Sequence, residues 1–162
     1  MITLSQEIPD DWWEVENLFD LSFAPGRTGL SSYRLREGND PVAALCFVAR
    51  DSTNALVGAV RVYPIVIGET QAEALLLGPI AVHPTVQGEG VGGDLMQKCL
   101  AQAEEMGWRR VVLVGDAPYY SRFGFEKAQN LVFPPPINED RLLCLALSEN
   151  AFEGVTGDIK SP

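Results

Sequence analysis

The feature that most constrains this chain runs from Leu75 to Val114, where an apolar stretch, a glycine-rich turn, an amphipathic stretch and a second apolar stretch follow one another. Leu75 to Val82 is apolar throughout, and His83-Pro84-Thr85-Val86-Gln87 then leads into Gly88-Glu89-Gly90-Val91-Gly92-Gly93. From there Val91, Leu95, Met96, Cys99, Leu100, Ala103 and Met106 recur at helical spacing, with Asp94, Lys98, Gln102 and Glu105 as the polar remainder. Gly107 stands where a helix stops. The apolar run Arg110 to Val114 suits a strand covered on both faces, as parallel strands are. The unit therefore reads as a strand, a helix over 91–106 and a second strand, a crossover that makes the two strands parallel and the fold α/β.

The turn carries the first chemical signal. Four glycines in six positions let a backbone approach a ligand closely, and the free N–H groups of the helix start point into the same space. Such a turn is an anion site, held by backbone donors and the positive end of the helix dipole. A Walker loop would end in Gly-Lys-Ser/Thr, whereas this one ends Gly92-Gly93-Asp94. Gly88-x-Gly90-x-x-Gly93 fits the dinucleotide pattern in form. That pattern, however, follows its strand at once and has an acid closing a second strand about 20 residues later. Here His83 to Gln87 intervene, and Glu104 and Glu105 fall on the helix. The pattern that remains is Gln/Arg-x-x-Gly-x-Gly/Ala, met by Gln87, Gly90 and Gly92.

Elsewhere the pattern predicts a first strand over Ile2 to Gln6 and a helix opened by Pro9-Asp10-Asp11 and running through about Phe19. Phe23 to Pro41 reads as a long loop with room for a short helix. Val42 to Arg50 and Ala55 to Ile67, joined by Asp51-Ser52-Thr53-Asn54, read as a hairpin, and a further strand runs from about Ala72 to Val82. A short helix at Tyr119 to Phe123, a strand near Phe125, the loop Pro134-Pro135-Pro136 and a last strand over Arg141 to Leu147 follow. The 162 residues suit one domain, spanning 1–153, with Gly154 to Pro162 read as a frayed tail.

Composition narrows the function. Twelve Lys and Arg against twenty-two Asp and Glu give a net charge of −10, which argues against nucleic acid and anionic membrane, since both need a basic footprint. It also predicts that cationic amines are drawn to the molecule more than anionic ones. The longest apolar runs, Val42 to Ala49 and Ala74 to Val82, are far short of the roughly 20 residues that span a bilayer. With no secretory pattern at Met1 to Glu7, the expected location is the cytoplasm. Cys46, Cys99 and Cys144 are odd in number and flanked by apolar residues, and read as buried thiols; one histidine and no CxxC leave no metal set.

At Gln87-x-x-Gly90-x-Gly92, preceded by Val82-x-Pro84, the sequence resembles the GNAT superfamily of N-acetyltransferases. Tyr119-Tyr120-Ser121-Arg122-Phe123-Gly124-Phe125 is similar to the C-terminal Tyr-x-x-x-Gly-Phe element of that superfamily. The wider pattern, Leu77 to Pro84 with Gly115-Asp116 before the paired tyrosines, resembles a bacterial subgroup. The segment Val114 to Pro118 is shorter than in many members. The resemblance implies a mixed, mostly antiparallel central sheet with a parallel pair formed by its fourth and fifth strands, and helices on both faces. It implies acetyl-CoA as co-substrate and a primary amine, on a small molecule or a peptide, as acceptor. The rival is a non-catalytic acyl-CoA sensor or protein-interaction domain with the same fold. Exposed strands and the proline-rich loop leave a homodimer open.

By this resemblance, Gln87, Gly88, Glu89, Gly90, Val91, Gly92 and Gly93 hold the pyrophosphate. The backbone of Ile80, Ala81 and Val82 pairs with the pantetheine arm like an added strand, and the Val82 N–H faces the thioester oxygen. Tyr120, four residues before Gly124, takes the place of the general acid and touches the coenzyme. A phenol with a reference pKa of about 10 suits that task. Tyr119 reads as packing, His83 as a solvent-facing turn residue, and Arg122 as either a phosphate contact or a surface charge. The base stays open among Glu69, Glu73 and a water chain. The acceptor would lie near the loops Phe23 to Pro41 and Gln129 to Asp140, whose Arg27, Arg34, Arg36, Glu37, Glu139 and Asp140 are of mixed sign.

Overall fold

A computed structural model describes residues 1–23 and 31–162. Among these, β1 (Thr3–Gln6), β2 (Phe47–Arg50), β3 (Leu56–Ile67), β4 (Ala72–Val82), β5 (Arg110–Val114), β6 (Glu126–Lys127), β7 (Leu131–Val132), β8 (Leu142–Ala146) and β9 (Gly157–Lys160) join in one sheet. Its main path is β1-β2-β3-β4-β5-β8-β6. Neighbours on that path are antiparallel except β4 and β5, which run parallel as the crossover predicts. The helices are α1 (Trp12–Phe23), α2 (Ser31–Arg34), α3 (Val91–Glu105) and α4 (Ala117–Tyr120).

The period of two along the strands sorts their side chains between two helix-covered faces. Phe47, Ala49 and Val57 meet Val91, Leu95, Met96 and Cys99 of α3, while Val48, Ala59 and Ala81 meet Val15, Leu18 and Phe19 of α1 on the opposite face. Leu95 and Met96 are fully buried, and each such side chain contributes roughly 1.5–3 kcal/mol. The amino end of α3 comes this close to the sheet because Gly58 lies beneath it: a Cβ there would stand 3.0 Å from Val91 and 3.1 Å from Leu95.

A bulge in β4 positions the site. Val60 pairs with Ile80 but Val62 with Leu77, so Gly78 and Pro79 carry one residue more than β3 opposite them. The extra residue shifts the alternation, and Leu75, Leu77, Ile80 and Val82 all pack toward α3. A proline has no N–H to give to the ladder, so a bulge is where a strand can hold one. Opposite the bulge sits Arg61, which is buried; its guanidinium donates to Glu7 at 3.1 and 2.9 Å and also pairs with Glu16 of α1. Burial opposes that charge, yet the two carboxylates raise the arginine's pKa. The triad ties the first strand and α1 to the sheet behind the bulge.

Three expectations need correction. Gly154 to Pro162 is no frayed tail: β9 pairs with the end of β3 through Val66 and Ile67 and with β7, and Ile159 is buried among Ile65, Ile67 and Leu76. The domain thus includes Gly157–Lys160. The first hairpin arm is shorter than expected, since Ala43–Leu45 form a 3-10 turn before β2. The first helix runs on to Phe23 after a 3-10 turn at Pro9–Asp11.

Candidate active site

The registered parallel pairs of β4 and β5 are Leu75 with Val111 and Leu76 with Val112. Beyond them the strands part, and a cleft of about 680 Å³ opens between Leu77–Ile80 and Leu113–Gly115. The ladder phase shows what β4 offers to that gap. The His83 N–H donates to Val57 O at 2.8 Å, so His83 and Val57 form a hydrogen-bonded pair. Two residues on, Ala81 and Ala59 form the next one, while Val82 with Gly58 and Ile80 with Val60 are the alternate kind. The N–H and C=O groups of Ile80 and Val82 therefore point away from β3, toward the edge that β5 leaves open. Ala81 is a correction to the expected set: its backbone turns to β3 and its side chain is buried under α1.

The glycine turn stands at the end of β4. His83 caps the 3-10 turn Pro84–Val86, its Nδ1 accepting from the Thr85 N–H at 3.2 Å. Gln87 Nε2 makes a long contact of 3.5 Å to Val82 O. Gly90 takes the left-handed φ of +82° and starts α3, a conformation a side chain would oppose. Asp94 is the first residue of the helix whose N–H finds a backbone acceptor, Gly90 O at 3.0 Å. The N–H groups of Gly88, Gly90, Val91, Gly92 and Gly93 have no backbone acceptor among the described residues and form a cradle for an anion. Glu89 differs, because its N–H is spent on Val86 O at 3.2 Å. The cradle is tight at Gly92, where a Cβ would meet the Tyr119 hydroxyl at 3.2 Å and Val82 at 3.4 Å. Arg122 stacks over the Tyr119 ring at 4.6 Å with its guanidinium beside Gly93. This gives the turn a cation.

Tyr120 forms part of the cleft wall. The local sequence explains its place. Gly124, at φ +94°, ends the 3-10 turn Ser121–Phe123, and Phe125 then plugs the core, its ring edge-on to Tyr120 at 6.1 Å. The ring also abuts Gly115, where a Cβ would come 2.3 Å from it. Burial, with Tyr119 and Asp116 nearby, raises the phenol above its ordinary value. Tyr119 is the more exposed of the two, and it too lines the cleft.

Other candidates separate clearly. Glu69 lies in the β3–β4 turn and Glu73 near the start of β4, the end of the strand away from the cleft, and neither lines it. Asp116 does, a carboxylate the sequence reading passed over. Both expected acceptor loops reach the cleft, through Phe23, Tyr33 and Arg36 and through Pro136, Ile137 and Asn138, joined by Arg141. Arg27 lies outside the described residues. Burial pushes the Cys46 thiol up to about 11 and raises Cys99 and Cys144 as well, so none is a ready nucleophile. Among the described residues no helix is long and apolar enough to cross a membrane, and no cluster of metal-ligating side chains occurs.

Residues 43–127 match the family model described as Acetyltransferase (GNAT) domain. The chain is 31% identical to the N-acetyltransferase YhbS of Escherichia coli over 153 residues, 93% of this chain and 90% of that one. A crystal structure of YhbS in complex with CoA superposes with a TM-score of 0.86 at 28% identity, over 99% of this chain and 89% of that one. A GNAT family acetyltransferase from Brucella melitensis in complex with acetyl-CoA gives a TM-score of 0.75 at 30% identity, over 100% and 96% of the two chains.

Proposed function

The chain belongs to the GNAT acetyltransferase family, and from that premise we propose that it moves an acetyl group from acetyl-CoA to a primary amine by direct attack on the thioester. The observation that carries this reading is the open edge of β4. Ile80 and Val82 present backbone donors and acceptors on the side away from β3, and Tyr119, which lines the cleft, reaches the cradle of N–H groups that have no backbone acceptor among the described residues at the start of α3. An extended chain ending in a pyrophosphate needs those two features in that order. Relatives crystallised with CoA and acetyl-CoA support the same donor.

This chain's residues then divide the work. Gly88, Gly90, Val91, Gly92 and Gly93 hold the pyrophosphate through their N–H groups, with Arg122 as a nearby cation. Ile80 and Val82 align the pantetheine arm, and the Val82 N–H polarises the thioester oxygen and stabilises the negative charge that grows there during attack. As the amine nitrogen bonds to the carbonyl carbon and the C–S bond breaks, Tyr120 gives its proton to the departing thiolate. Solvent then restores the phenol. A phenol held above its ordinary pKa is fully protonated at neutral pH, which is the state this step requires. Asp116 stands at the same cleft to accept the proton that the amine loses. The three unpaired cysteines and the E. coli relatives support a bacterial cytoplasm as the place of action.

The test is thiol release from acetyl-CoA across a panel of amines. The expected result is turnover that depends on the acceptor. Tight acetyl-CoA binding without any acceptor-dependent thiol release would make the chain a sensor instead.

A further inference from the structure

One side of the cleft is built by segments that contribute nothing to the glycine turn: Phe23, Tyr33, Arg36, Ile137, Asn138 and Arg141. Its charge runs against the composition. The chain carries twenty-two acids and twelve Lys and Arg, yet among the described residues the cleft wall holds two guanidiniums, Arg36 and Arg141, and one carboxylate, Asp116. Arg36 is anchored over the β4 bulge, its Nε donating to Gly78 O at 3.0 Å and a terminal nitrogen to Ser32 Oγ at 3.2 Å. Arg141 is anchored through its main chain. Its N–H donates to Asn138 O and its carbonyl accepts from the Gly115 N–H, both at 2.9 Å, so the residue is fixed beside the end of β5.

The Arg141 side chain is another matter. Among the described residues its guanidinium makes no ion pair, and the neighbouring Asp140 is taken by Lys127 at 2.7 Å. Asn138 turns its Oδ1 to the Asp140 N–H at 3.0 Å, which leaves the amide NH2 as a second donor. A planar fork of donors with no partner, at the mouth of a cleft, is the arrangement that binds a carboxylate. Asp116, on the same wall beside Tyr120, stands where it can take the proton that the amine loses.

We infer that the acceptor is a small amine that itself bears a carboxylate, of the amino-acid type, with that carboxylate on Arg141 and the amine between Asp116 and Tyr120. Phe23, Leu77 and Ile137 give its side chain an apolar wall. The two guanidiniums also oppose a positive charge on the bound amine, which favours the neutral form that attacks the thioester. The local field thus reverses the preference for cationic amines that the net charge of −10 suggests. The inference rests on the acetyl-transfer reading above.

The experiment compares each protein amino acid with its own α-amide, as acceptor for acetyl-CoA and, by calorimetry, as ligand for the protein saturated with CoA. The free acid of at least one pair is expected to exceed its amide by about ten- to a hundred-fold in kcat/KM, the range of a hydrogen-bonded charge pair. Arg141→Gln is expected to abolish that ratio and Arg141→Lys to keep part of it, with CoA affinity reporting that both variants fold. Amides that perform as well as acids would overturn the inference, as would a preference that survives in Arg141→Gln. If no acceptor turns over, binding decides. Acids that bind the CoA complex better than their amides uphold the carboxylate site while the transferase reading fails, and no preferential binding of any acid overturns the site itself.

Discussion

Gly115→Ala isolates the geometry on which the assignment of Tyr120 depends. Gly115 does not need glycine for its backbone, since its φ is not among the positive ones. An alanine therefore meets a purely steric obstacle. The new Cβ would lie 2.3 Å from Cε2 and 2.9 Å from Cδ2 of Tyr120, with Leu113 at 3.2 Å. To reach ordinary contact the ring must retreat by about 1 Å, and a misplacement of that size costs about 10²-fold in rate. Overpacking also costs roughly 1–3 kcal/mol of stability, read from denaturant midpoints. The assay is steady-state kinetics with acetyl-CoA in Gly115→Ala, Tyr120→Phe and the double variant. Phenylalanine keeps the ring, so the clash and its stability cost persist, but no hydroxyl remains to be misplaced. The second substitution should then lower kcat little further, and the two effects should be strongly non-additive. Full kcat in Gly115→Ala, or the same fold-loss in both backgrounds, would refute the reasoning.

Tyr120→Phe alone should lower kcat by roughly 10²–10⁴-fold with acetyl-CoA affinity nearly unchanged, while Tyr119→Phe should lose little; a larger loss in Tyr119→Phe would move the acid. Because burial raises the Tyr120 pKa above its ordinary value, the phenol keeps its proton through the neutral and mildly alkaline range. The wild-type kcat should accordingly show no alkaline fall near pH 8, and a descending limb there would assign the proton to another group. Gly92→Val puts a branched side chain where even a Cβ would stand 3.2 Å from the Tyr119 hydroxyl, and should weaken acetyl-CoA binding severely by calorimetry in a folded protein. Unchanged affinity would remove the turn from the site. Arg61→Ala removes the buried guanidinium that pairs with Glu7 and Glu16 behind the β4 bulge and should cost about 3–5 kcal/mol in chemical denaturation, so a loss below about 1 kcal/mol would show the triad to be dispensable.

The parts of the molecule legible in the sequence are those whose signal is local. β4, the turn, α3 and β5 announce themselves through an apolar run, clustered glycines and helical periodicity, and their bounds fall within a residue or two of expectation. Tyr120 and Gly124 belong to one short motif and fall in one turn. β9 was illegible because Gly157-Asp158-Ile159-Lys160 holds one apolar residue and finds its partner at Ile67, some ninety residues away. The cleft's cationic side was hidden for a similar reason. Arg36 follows α2 and Arg141 ends the turn before β8, and only the pairing of β8 with β5 brings the second to the cleft that the first also lines. The steric role of Gly115 was hidden as well, since nothing in the sequence shows that an aromatic ring lies against it. Ala81 was misjudged because a strand's free edge depends on ladder phase, which pattern alone does not set.

The central claim is that the open edge of β4 receives the coenzyme. Amide hydrogen exchange resolved to single residues by NMR, with and without acetyl-CoA, tests it most directly. In the free protein the N–H groups of Ile80 and Val82 face the gap and should exchange fast, while that of Ala81, paired to β3, should exchange slowly. Saturation with acetyl-CoA should protect Ile80 and Val82 together with Gly90, Val91 and Gly92. Protection of those amides is the result the account predicts, and unchanged exchange at Ile80 and Val82 in a protein that binds acetyl-CoA would contradict it.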